Sequence, residues 1–514
     1  MRKEETFVIK YSFLKTYITC YFSLKLITML KNYTSLGLMF LFLCLYNSYS
    51  QTTAIPDSNF EQALIDLGID TDGLNGSVAT ADISSITYLS VYSKNISDLK
   101  GIEDFINLKY LVCSSNQLTS LDLSQNINLI ELTCNDNLLT SLNVTQNIAL
   151  TRLQCYNNKL TTIDVTQNTA LTFINFNSNQ LTSIDVSKNT LVTSLGLAPN
   201  QLTSLDVSQN TALSYLQCQS NQLTTLDVTK NTALSVLYCF SNQLTELEVS
   251  QNTLLRNLNC GRNQLAILDV GNNLVLNVLS CDGNLISNLD LDNNTALTEL
   301  NCASNPLLSY LDLTNNTNLI ELWCYSNPLL TSLDLSNNTA LELFYGPETP
   351  FTSLDFSENI VLTVVNCSYN PLLTSLNVKN GNNASIIGFD ARNCFGLDCI
   401  QVDDETAAND SQTPYTNWIK DVSTTFSEDC TALDLEDDQF GKSISMYPNP
   451  VTNLLTINSK IPLKKVEIYS ILGHKVKEVH SDFTSIETNN LSIGMYLVRI
   501  LSETGTSVKK LIKI

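Results

Sequence analysis

Ten cysteines, Cys113, Cys134, Cys155, Cys218, Cys239, Cys260, Cys281, Cys302, Cys324 and Cys367, share one recurring slot, 21 or 22 residues apart in adjacent copies. Cysteine at fixed spacing first raises metal or redox chemistry. Zinc and dithiol sites draw their sulfurs from close pairs such as CxxC, and none of these is so paired. Phe176, Leu197, Gly346 and Phe389 take the same slot in other copies, so it reads as the place of a small buried hydrophobe. The two histidines, His474 and His480, fall within the last 41 residues. Everything before them lacks the side chain most used for acid–base and zinc chemistry, which weighs against catalysis.

A second file is acidic: Asp122, Asp164, Asp185, Asp206, Asp227, Glu248, Asp269, Asp290, Asp312, Asp334 and Asp355. Carboxylates stacked about 5 Å apart repel unless compensated. They either accept hydrogen bonds from neighbouring Ser, Thr and backbone groups or collect cations. The first reading is favoured, because a one-dimensional file rarely closes the six- to eight-oxygen cage of calcium. DTDG at 70–73 opens like a calcium loop but lacks the closing Glu, and is read as a plain turn.

The element that must position these files is a repeat running from about residue 86 to 393. Its fullest copies are LSYLQCQSNQLTTLDVTKNTA and LSVLYCFSNQLTELEVSQNTL, and there are about fifteen. Leu213, Leu216 and Cys218 alternate inward on a short strand, and Asn221 satisfies backbone groups where the chain turns. One coil cannot bury its apolar side alone, so coils stack in parallel. The pattern L-x-x-L-x-apolar-x-x-N, carried by Leu213, Leu216, Cys218 and Asn221, resembles the leucine-rich-repeat family. Each copy is nearly doubled, since LTTLDVTKN repeats the pattern, which resembles the nested class of internalin-like bacterial surface proteins. The expected fold is mainly β: a leucine-rich-repeat solenoid with strand on both sides of each coil, a short N-terminal helical cap and a small C-terminal β-sandwich.

In this register the residues flanking the inward Leu and Cys make a continuous outward face holding Tyr110, Tyr156, Phe173, Tyr215, Tyr238, Phe240, Trp323, Tyr325 and Tyr345. Exposed aromatics on a rigid face suit recognition, although aromatics also suit strands. Tyr238, Phe240, Trp323, Tyr325 and Tyr345 are the candidate binding residues.

Outside the repeat, residues 1–50 read as a signal peptide with an over-extended start. Translation begins at Met29, Lys31 gives the charge, Leu36 to Tyr46 the apolar run, and Ser48 and Ser50 precede cleavage before Gln51. The run is too short to span a membrane, and Cys44 follows Leu43 where a lipidation motif has Gly or Ala. Residues 51–85 form the N-terminal cap, with Phe60, Leu64 and Leu67 at helical spacing behind Ser58 as N-cap. Residues 394–430 form the C-terminal cap, where an oxidising destination favours a Cys399–Cys430 bridge. An acidic linker at 431–440 follows.

Residues 441–514 alternate as short strands and read as a small sandwich. Tyr447, Pro448, Asn449 and Pro450, then Leu472 and Gly473, then Gly494 and Tyr496, then Lys509 and Lys510 in the basic–apolar tail resemble the type IX secretion sorting domain of Bacteroidota. That resemblance implies handling by the type IX machinery and its sorting protease, and a product secreted or attached to the outer surface. The formal charge of -22 argues against nucleic acid as partner. The expectation is a non-enzymatic surface protein without cofactor or metal, binding an unknown protein or glycan, with no membrane span in the mature protein. A passive envelope or biofilm component is the alternative.

Overall fold

The computed structural model describes residues 51–430 and 443–514, apart from 472 and 504. The leader with its Met29 start, the 431–440 linker and Leu472 lie outside the described residues.

Every repeat contributes a short strand, three residues in most, and with one strand of the cap these form a parallel sheet of sixteen from Tyr88–Ser90 to Ile419–Lys420. The register holds the inward leucines opposite one another, as Leu216, Leu237 and Leu258 show. These leucines and the ladder cysteines are fully buried in one continuous core. Single-residue insertions are absorbed outside the strands, so Glu321–Trp323 still pairs residue for residue with Glu299–Asn301. The sheet runs one strand beyond the repeat, into the C-terminal cap.

The second half of each coil departs from expectation. Leu226 and Val228 point inward there as the pattern predicts, yet a second sheet forms only near the C-terminus, from Ser353–Asp355, Ser375–Asn377, Cys399–Gln401 and Thr425–Ser427. Strand on both sides is therefore a property of the last coils and not of each coil. Elsewhere asparagine amides satisfy the backbone between coils: Asn242 Oδ1 accepts from Leu223 N–H at 3.0 Å, and Asn231 Nδ2 donates to the Val207 carbonyl at 3.0 Å. Two asparagine files result. The residue before the outer asparagine sits in the left-handed region, with φ near 54° at Ser220 and Ser241, and Gly283 takes the same place at 61°.

The N-terminal end is closed by a helix, Ser58–Asp66, whose Phe60 and Leu64 are buried. Its N-cap is Asp57, not Ser58: the Asp57 carboxylate accepts the Asn59 and Phe60 N–H groups. Leu67, expected on the packed face, is the C-cap residue and half exposed. In DTDG, Asp70 Oδ1 accepts the Asp72 N–H at 2.9 Å, a turn. At the other end Trp418 stacks on Phe389 with ring centres 4.2 Å apart, and Cys399 is disulfide-bonded to Cys430.

The C-terminal domain is two small antiparallel sheets around Val466, Ile468, Val498 and Ile500. It rests on the end of the solenoid through Phe395, which packs on Tyr469 and lies under the Arg499 guanidinium. Among the described residues, no helix is long and apolar enough to cross a membrane.

Candidate recognition surface

Alternation along each strand fixes what faces outward. Leu322 and Cys324 are fully buried, which leaves Glu321, Trp323 and Tyr325 on the opposite side, half exposed. Trp323 is flanked across the ladder by Asn301 and Tyr345. The Tyr325 and Tyr345 rings meet edge to face, centres 5.6 Å apart and planes at 87°. Ser326 Oγ donates to Glu348 Oε2 at 2.9 Å, which holds that carboxylate at the rim. Together Asn301, Trp323, Tyr325, Ser326, Tyr345, Pro347 and Glu348 line a depression of about 520 Å³.

Tyr238 and Phe240 lie four strands nearer the N-terminus, roughly 19 Å away at the usual strand spacing. There Tyr238 meets Tyr215 edge to face at 6.1 Å. Nearer the N-terminus still are Tyr110, Tyr156 and Phe173, the last covered by the Arg152 guanidinium 3.7 Å from its ring centre. The aromatics are thus unevenly spread along the outward face, with Asn257, Asn259, Val278, Ser280 and Glu299 at outward positions between Tyr238 and Trp323. Of the candidate binding residues, Trp323, Tyr325 and Tyr345 come together, while Tyr238 and Phe240 stand apart from them. Sequence reasoning missed Asn301, Ser326, Pro347 and Glu348. Pro347 and Glu348 follow Gly346 as Tyr325 and Ser326 follow Cys324, so the repeat register was the available signal for their place at the rim.

Electrostatics distinguish this region from the acidic file on the other side. Burial pushes the Glu321 carboxyl up, and the nearby Glu299 and Glu342 push it further. In the file the order reverses. Each acid accepts the N–H two residues on, as Asp206 does from Ser208 and Asp227 from Thr229, both at 2.9 Å. Those bonds, with the Ser208 and Thr229 hydroxyls, hold both carboxyls below their ordinary value. The file is a row of turn-forming carboxylates. Among the described residues, no group of three or more His, Cys, Asp or Glu side chains is arranged to hold a metal ion. The ladder thiols are buried, and burial pushes Cys218 and Cys302 up to about 12, the opposite of a reactive thiolate.

The sorting-motif residues occupy defined places in the terminal domain. Tyr447 ends the strand Ile444–Tyr447, and Asn449 clips the last strand by donating to the Lys510 carbonyl at 2.6 Å and accepting the Ile512 N–H at 2.8 Å. Pro448 and Pro450 flank that clip. Gly473 turns the chain at φ 79°. Gly494 begins the strand that pairs with Lys509 and Lys510, and Tyr496 Oη donates to the Ser492 carbonyl at 2.9 Å.

This architecture defines a leucine-rich-repeat solenoid joined to a separate strand-rich C-terminal domain. Residues 445–514 match the secretion system C-terminal sorting domain, which marks the chain for export and attachment at the cell surface. The chain is similar to the functional domain of InlJ from Listeria monocytogenes, described as including a cysteine ladder. The two share 27% identity over 90% of this chain and 99% of that one, with a TM-score of 0.60. An internalin, inlF, of the same species is 20% identical over 64% of this chain and 98% of its own, with a TM-score of 0.48. YopM from Yersinia enterocolitica is 20% identical over 66% of this chain and 74% of its own, with a TM-score of 0.45. Among curated proteins none matches this chain.

Proposed function

We propose that this surface protein is a non-enzymatic recognition module that binds a protein or glycan on the outward side of its long sheet. The observation that carries the reading is the depression lined by Trp323, Tyr325 and Tyr345, three aromatic side chains held on a rigid ladder with part of each ring in solvent. Aromatic side chains with two rotatable bonds bring large contact area at little entropic cost. The depression is lined by one carboxylate, which accepts the Ser326 hydroxyl, and by no histidine, lysine or cysteine.

The test is capture by the full chain on glycan and protein arrays, beside a joint Trp323→Ser and Tyr325→Ser variant. Loss of capture at unchanged melting temperature is expected. A folded parent chain that captures nothing would overturn the reading in favour of a passive envelope component.

A further inference from the structure

Between residues 263 and 378 the chain carries twelve Asp and Glu and no Lys, Arg or His. The aromatic depression lies inside this stretch. On its own side of the solenoid the stretch presents Glu299 and Glu321, register partners on adjacent strands, then Glu342 one residue before the next strand, then Glu348 at the rim. No ion pair among the described residues engages any of the four. The bases that flank the stretch are already committed: Arg262 Nε lies 3.7 Å from Asp282, Lys379 Nζ lies 3.4 Å from Glu428, and Arg392 Nη2 lies 2.6 Å from Asp390. Carboxylates spaced by about one strand, without a cation of their own, attract one from outside.

The aromatic lining agrees in sign. Trp, Tyr and Tyr present negative π faces, and an ammonium set against such faces is held by attraction to the ring quadrupole. Here three rings converge with Glu348, so ring and carboxylate favour the same charge. We infer that the depression takes the ammonium group of a lysine side chain presented by a basic polypeptide, with Glu299, Glu321 and Glu342 pairing the cations that flank it. This rests on the recognition reading above and names its ligand class. A small monocation would fill the depression and leave the glutamate column unpaired, and a neutral glycan would use the rings but not the column. A chain bearing several cations uses both. Burial and like-charge neighbours push the Glu321 carboxyl up, and a cation set beside it favours the charged form against both.

The experiment measures binding of fluorescein-labelled deca-lysine to the full chain at low and high salt, beside the same peptide acetylated on every side chain. Two double variants probe the site, Trp323→Ser with Tyr325→Ser and Glu321→Gln with Glu348→Gln. The control, Asp206→Asn with Asp227→Asn, removes the same charge from the acidic file. Each site variant is expected to weaken binding about tenfold or more, the control about twofold or less, and acetylation to abolish it. Equal weakening by the control and the glutamate variant would show diffuse attraction to an acidic protein and overturn the inference. Undiminished binding of the acetylated peptide, or no binding of deca-lysine, would do the same. If arrays still show capture of a neutral ligand that depends on Trp323 and Tyr325, the recognition face stands and only its lysine specificity falls.

Discussion

Replacing Asn221 by Ala removes four hydrogen bonds at once. Its Nδ2 donates to the carbonyls of Leu197, Cys218 and Gln219 at 3.0, 3.1 and 3.3 Å, and its Oδ1 accepts the Leu202 N–H at 2.9 Å. The losses are unequal. The Leu197 and Cys218 oxygens keep donors from Asn200 and Asn242, at 2.9 and 3.0 Å. The buried Leu202 N–H loses the acceptor that the structure gives it, and an orphaned buried donor costs about 1–3 kcal/mol. With the weakened donor bonds the total should be about 2–3 kcal/mol. Asn231 makes a sharp comparison. Its Nδ2 donates to the Val207 and Asn210 carbonyls at 3.0 and 2.9 Å, but its buried Oδ1 has no partner. Those carbonyls also accept the Asn210 and Leu213 N–H groups, so Asn231→Ala orphans no donor and should cost about 1 kcal/mol. Gln222→Ala, at an exposed position, should cost almost nothing. Urea midpoints of the full chain rank the three variants. Hydrogen exchange at the Leu202 amide reads the local event, which matters because a stacked array need not unfold as one unit. Unchanged exchange at Leu202 in Asn221→Ala, or equal midpoints for the two asparagine variants, would refute this account of the ladder.

Three further outcomes are expected. Cys399→Ser should destabilise the C-terminal cap by about 3–4 kcal/mol, the entropy of closing a loop of 31 residues, with the loss seen as faster proteolysis near Trp418; unchanged proteolysis would show the cap held by packing alone. Asp206, Asp227 and their neighbours have carboxyls depressed in the folded chain, so their contribution is present above the ordinary value of 3.8 and disappears as pH falls through the lowered values. Melting temperature should therefore hold steady from neutral pH to about pH 5 and drop below about pH 4, less steeply in Asp206→Asn with Asp227→Asn; identical slopes would contradict the turn-forming role. Deleting residues 441–514 should leave the chain in the periplasm, and fractionation that found the truncated chain at the surface at parental levels would remove the sorting role.

The solenoid was legible because its information repeats. A Leu216 or Cys218 alone says little, but the same alternation in register over many coils leaves one way to bury every leucine. The terminal domain was legible for another reason, since its motif residues stand in order along the chain and Asn449 and the last strand are one structural unit. What stayed hidden depends on neighbours in space. Whether LTTLDV pairs as a strand depends on its fit to adjacent coils, which a single copy does not display. Asp57 and Ser58 are both good N-caps, and only the observed bonds to Asn59 and Phe60 choose between them. The aromatics are unevenly spread along the outward face, where burial imposes no residue type and no period carries them. Pro347 and Glu348 reach the rim at the slots that Tyr325 and Ser326 fill one coil earlier, where residue type does not repeat.

The most direct measurement of the central claim is hydrogen exchange of the full chain with and without a ligand captured from the arrays. Protection should concentrate in the strands Glu299–Asn301, Glu321–Trp323 and Leu343–Tyr345 and in the turn through Glu348, and should vanish in the joint Trp323→Ser and Tyr325→Ser variant. Protection confined to the acidic file, from Asp122 to Asp355, or to the capped ends of the solenoid, would contradict the assignment of recognition to the aromatic depression.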